Sequence, residues 1–165
     1  MATRTRLRLQ PAVSWAPSGA QHALTLSSLA DDAGRAGPAH DFTDAAGRFP
    51  SRIAFTLRTR TPSAPAAGAT LRLGFACAVD GVNHPGGLGA ADAPISNVHL
   101  LAQLEPVLAL PMDGSTQAQV FTGEFEPLAG RLAPVLWNDT GVALSSTPSD
   151  HELILAPLDV EHEEL

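Results

Sequence analysis

Period-two alternation of apolar and polar residues organises this chain. In residues 52–61, RIAFTLRTRT, Ile53, Phe55 and Leu57 share one face of an extended chain, and Ala54, Thr56, Arg58 and Arg60 share the other. A helix would scatter both sets, whereas a half-buried strand separates them. Residues 69–79, ATLRLGFACAV, repeat the pattern with Leu71, Leu73, Phe75, Cys77 and Val79 inward. Thr70, Arg72, Gly74, Ala76 and Ala78 face outward, and small residues at 74, 76 and 78 predict something lying closely over that face, such as another chain. The Pro- and Gly-rich TPSAPAAGA between the two strands reads as a loop, which makes them a central hairpin.

Weaker strand patterns surround that pair: TRTRLRLQ, HALTLSSL, NVHLLAQLEPVLAL broken by Pro106, TQAQVFTGEFEP, RLAPVLWN, VALSS and HELILAPLDV. Asn138-Asp139-Thr140-Gly141 is a tight-turn sequence. The count is about eight strands with turn residues between them. The predicted fold is all-β: an antiparallel β-sandwich or jelly roll with an extended N-terminal arm. We divide the 165 residues into an arm (1–20), a sandwich domain (21–158) and an acidic tail (159–165). Residues 30–51 and 80–96 are long, polar and turn-rich, and are read as contact surfaces.

Charge is unevenly placed. Residues 1–60 carry eight Arg against four Asp, whereas 61–165 carry Arg72 and Arg131 against thirteen acids; the net charge is −7. Two solvated termini explain this simply. A more specific reading is that the basic arm of one subunit meets an acidic surface of its neighbour. The candidate subunit or capsid contacts are Arg4, Arg6, Arg8, Arg58, Arg60, Arg72, Glu161, Glu163 and Glu164. Overall acidity, with no Arg patch interleaved with aromatics, argues against nucleic acid. No apolar run reaches membrane-span or signal-peptide length, so a soluble chain made in the cytoplasm is expected.

The search for chemistry yields little. Cys77 is the only cysteine and sits in an apolar run, so it reads as a buried thiol. His22, His40, His84, His99, His151 and His162 show no ligand spacing. His40 with Asp41 and Asp44 reads as a solvated loop rather than a cation site. GxSxG is absent, and HPGGLGA fits neither phosphate-binding fingerprint. Glu105, Glu124 and Glu126 read as a solvent-facing edge rather than paired glycosidase carboxylates. Trp15 and Trp137 are core anchors by default, with stacking on a sugar as the functional rival. Neither catalytic residues, a metal nor a cofactor are assigned.

The stretch LAPVLWNDTGVALSSTPSDHELILAPL resembles the end of a group of small tailed-bacteriophage virion proteins, in which a strand leads into an Asn-x-Thr-Gly turn, an Ala-Leu-Ser segment and a final strand. LRLGFACAVDGVNHPGGLG is similar to their apolar strand, Asp-Gly turn and Gly-rich loop, and the likeness spans roughly residues 50–158. The resemblance implies a jelly-roll-like, non-enzymatic virion component, foremost a capsid decoration or cement protein. Its expected partners are the major capsid protein or another virion protein, and copies of itself, with a trimer favoured. The alternatives are a tail or fibre component, or a carbohydrate-binding receptor module.

Overall fold

A computed structural model describes residues 3–164, with side chains described over 10–158. Twelve strands run in the order β1 (Thr3–Leu9), β2 (Val13–Ala16), β3 (His22–Ala23), β4 (Ala33–Ala36), β5 (His40–Asp41) and β6 (Arg52–Thr59), then β7 (Thr70–Cys77), β8 (Ala93–Ile95), β9 (Val107–Pro111), β10 (Gln119–Phe125), β11 (Arg131–Asp139) and β12 (Glu152–Glu164). They form two six-stranded sheets. The first has the order β10-β6-β12-β2-β3, with β1 also on β12; the second has β8-β4-β11-β7-β9, with β5 also on β11. Among the described residues only β2 and β3 pair in parallel. The fold is a β-sandwich, as the alternation predicts.

The core lies between the sheets. Ile53, Phe55 and Leu57 of β6 and Leu153 and Leu155 of β12 face Leu71, Leu73 and Phe75 of β7 and Leu132 and Leu136 of β11. Phe75 and Phe125 stack across the gap with ring centres 4.1 Å apart, a contact that adds to simple area burial.

The second sheet is covered on its outer face as well. Ala76, Ala133, Val135 and Trp137 pack there against Ile95, Leu101 and Leu104. Every residue from Leu132 to Asn138 is buried, and the segment lacks the alternation of β6 because both faces are dry. The small residues at 74 and 76 therefore accommodate the chain's own return segment rather than another chain. A Cβ on Gly74 would lie 2.8 Å from Leu104 Cδ1.

Several strand expectations are corrected. The predicted hairpin of 52–61 and 69–79 does not form, because β6 and β7 belong to opposite sheets and the Pro-rich loop crosses between them. Val98–Gln103 of the predicted strand NVHLLAQLEPVLAL is a 3-10 turn capped by Asn97, whose Oδ1 accepts from the His99 backbone N–H at 2.9 Å. Only Val107–Pro111 of that segment is extended. HALTLSSL keeps two strand residues, and VALSS is irregular. The arm expected over 1–20 joins the first sheet through both β1 and β2, each paired with β12, and β12 carries the expected tail as far as Glu164. No helix among the described residues is long and apolar enough to cross a membrane.

Candidate functional site

The first sheet ends in a two-stranded ribbon. β12 pairs with β6 from Glu152 to Leu158, where Arg52 is the last β6 partner. Beyond Leu158 it pairs with β1, from Leu9↔Leu158 to Thr3↔Glu164. Among the described residues no strand lies on the other edge of 159–164. Arg4, Arg6 and Arg8 stand at register positions opposite Glu163, Glu161 and Asp159. The basic arm and acidic tail thus come together within one chain, a pairing that supplies the opposite charges favoured across strands. Glu164 stands opposite Thr3.

The remaining candidate contact residues are engaged on the sandwich itself. Arg58 Nη2 lies 3.5 Å from Glu152 Oε2. Arg60 Nε donates to the Thr116 carbonyl at 2.9 Å. Arg72 bonds Asp139 on the neighbouring strand. Glu124 pairs with Arg52 at 2.9 Å, both groups about half exposed, which suits the solvent-facing edge read from the sequence.

A second feature is an exposed apolar set on the long loops. Phe49, Val79, Val82 and Leu128 are between 47% and 77% exposed. Backbone bonds from Phe42 N to Gly130 O and from Ala78 N to Arg131 O, with Arg131 Nη1 on the Gly81 carbonyl, hold the three segments together. Two of these segments fall within or beside the regions read as contact surfaces.

Burial lowers the pKa of four histidines. His22 on β3 and His40 on β5 approach to 3.0 Å, Nε2 to Nδ1, beside Trp15 and Phe42. Burial lowers the pKa of both; the His22 charge lowers that of His40 further, against Asp41. Burial also lowers that of His84. Trp15, wholly buried, donates from Nε1 to the Pro38 carbonyl at 2.9 Å. Neither Trp15 nor Trp137 offers a sugar-stacking face, since both are core residues. His22 and His40 are far apart in sequence, on two short strands in irregular segments, and no spacing motif joins them.

Ser145, Asp150 and His151 also converge, beside a cleft lined by Ser28, Arg60, Pro62 and Ser145–Thr147. Their wiring is unlike a nucleophile's. Ser145 Oγ donates to Asp150 Oδ2 at 2.6 Å, and His151 Nε2 donates to the Ser145 carbonyl at 2.9 Å. His151 Nδ1 accepts from Thr59 Oγ1 at 3.0 Å. Both ring nitrogens are thus occupied without reaching the serine hydroxyl, and burial lowers the imidazole pKa. The arrangement pins the 145–151 turn to β6.

Cys77 is buried, and desolvation raises its thiol pKa, so its sulfur is a poor nucleophile. Among the described residues no cluster of three or more His, Cys, Asp or Glu could hold a metal ion. No family model matches the chain, and no curated protein matches it.

Proposed function

We propose that this chain is a non-enzymatic structural protein of a tailed-phage virion, most specifically a capsid decoration or cement protein that binds and stabilises the head. The observation that carries this reading is the ribbon of β1 and distal β12, which runs past the last β6 pair on a well-packed sandwich. Cement needs a rigid body and an extended element that crosses to a neighbour, and main-chain pairing at a strand edge gives affinity without an elaborate pocket. The exposed Phe49, Val79, Val82 and Leu128 suit a second contact area. The resemblance of residues 50–158 to small virion proteins supports the same role. The expected setting is the virion after synthesis in the bacterial cytoplasm, with the major capsid protein or another virion protein as partner. A tail or fibre component is the nearest alternative. A carbohydrate-binding module loses support because both Trp are buried.

The test is sedimentation of the purified chain with tailed-phage capsids. Full-length protein is expected to saturate particles at a fixed copy number. Deleting residues 1–10 is expected to abolish that binding while the melting of the sandwich persists. Unchanged binding by the truncated chain would overturn the role given to the ribbon, and failure of the full chain to bind any capsid would overturn the decoration reading.

A further inference from the structure

We infer that copies of this chain associate head to tail through the two edges of the ribbon, β1 of one copy pairing antiparallel with the 160–164 edge of the next, into a closed ring of three or more. This rests on the reading of the ribbon as the assembly element, and it names the partner as a second copy of the same chain.

The backbone register supplies the first argument. Gln10 N donates to Pro157 O at 2.9 Å, which sets the alternation of hydrogen-bonded pairs along the ribbon. Positions 8 and 159, 6 and 161, and 4 and 163 then turn their main-chain groups toward each other. Thr3, Thr5 and Leu7 on β1, and Val160, His162 and Glu164 on β12, turn theirs outward, where among the described residues no strand meets them. Such a short two-stranded ribbon is a marginal structure alone and an open template for pairing.

Charge then selects the mode of pairing. One edge belongs to a strand whose charged residues are Arg4, Arg6 and Arg8; the other belongs to a segment with Asp159, Glu161, Glu163 and Glu164. A twofold contact would bring β1 to β1 or tail to tail and set like charges in register, which is unfavourable. Joining β1 to the next copy's tail sets Arg against acid again. The hydrogen-bonding phase agrees, because outward groups at odd positions of β1 meet outward groups at even positions of β12. That phase keeps Arg4, Arg6 and Arg8 on the face shared by Asp159, Glu161 and Glu163. Leu7, Leu9, Leu158 and Val160 share the opposite face at the sandwich end of the ribbon, with Thr3, Thr5, His162 and Glu164 toward its tip. A heterologous contact closes when the rotation axis runs along the strands, and three ribbons supply six alternating strands.

The test is the solution mass of the full chain, by light scattering, with three sets of variants. Wild-type protein is expected at a multiple of three or more chains. Thr5→Pro and His162→Pro each remove one outward N–H while sparing the inward ladder, and are expected at single-chain mass with the sandwich melting unchanged. A ribbon with Arg4, Arg6 and Arg8 all changed to Glu, and one with Asp159, Glu161 and Glu163 all changed to Arg, are each expected as single chains. A chain carrying all six changes, in which base and acid again oppose each other within and between ribbons, is expected to assemble. A wild-type monomer or dimer, undiminished mass in both proline variants, or a six-change chain that stays single overturns the inference. Capsid binding is scored separately: a monomer that still saturates particles removes the ring and leaves the decoration role, whereas a ring that ignores particles does the reverse.

Discussion

His22 and His40 share a single hydrogen bond, Nε2 to Nδ1 at 3.0 Å, that joins the edge strand of the first sheet to β5 of the second. One proton fills this contact, so it requires at least one of the two rings to stay neutral. Their pKa values are lowered in the folded chain, as are those of His84 and His151, so the unfolded chain binds more protons below the ordinary histidine value of about 6.5. Stability is therefore full above that pH and is lost as pH falls through the lowered folded-state values. Melting temperatures measured from pH 8 to pH 5 are expected to be flat and then to decline. His40→Gln is expected to make the decline shallower without abolishing it, and an unchanged slope would remove the pair from the account.

Trp15 ties the same two sheets from inside the core. Trp15→Phe keeps most of the ring and leaves the Pro38 carbonyl without its donor, at an expected cost of about 1–3 kcal/mol. Trp15→Ala adds a cavity, and a loss of about 3–5 kcal/mol in urea unfolding is expected. Equal losses in the two variants would mean that the indole N–H, rather than the packing, supplies the stability.

Asn138 holds the turn after β11. Its Nδ2 lies 3.0, 3.1 and 2.8 Å from the carbonyls of Leu29, Ala30 and Val142, and its Oδ1 accepts from Thr140 Oγ1 at 2.7 Å. Asn138→Ala strands these buried groups, and a loss of at least about 2 kcal/mol is expected. Asn138→Asp keeps the shape but sets a carboxylate against carbonyls, and is expected to be worse. Chemical denaturation of both variants checks the order; an Asp variant as stable as wild type contradicts it.

Gly74 and Leu104 are expected to be coupled. Gly74→Ala drives a methyl against Leu104 and Val107, at a cost of about 1–3 kcal/mol. Leu104→Ala alone opens a cavity, at a cost of about 2–5 kcal/mol. The double variant is expected to lose less than the sum, because each change relieves the other. Strict additivity in a double-mutant cycle would show that Leu104 does not cover this glycine.

Much of the sandwich could be read from alternation alone. β6 and β7 stand where Ile53, Phe55, Leu57 and Leu71, Leu73, Phe75 set them. Period two identifies the buried face of a strand but not the sheet it joins, which is why residues 61–69 read as a hairpin loop when they cross between sheets. VHLLAQ has the apolar content of a strand, and the Asn97 cap that turns it into a 3-10 segment is a local signal that the apolar run outweighs. The charged arm and tail could be read individually. Their alignment could not, because it depends on β12 running on past the end of β6. The His22–His40 pair had no sequence signature, since it depends on two irregular segments meeting at a sheet edge.

The first sheet sets the timing of folding. β2 pairs with β12, Trp15 opposite Leu153, so a chain emerging from the ribosome must carry Val13 and Trp15 without this β12 partner until well over a hundred further residues have been made. β6 waits on one side for the same strand. The second sheet, whose β7 and β11 are nearer in sequence, can form its ladder earlier. Closure of so distant a pairing is expected in milliseconds to seconds rather than microseconds. During that interval the apolar segment around Trp15 is what a chaperone, or another nascent copy, encounters.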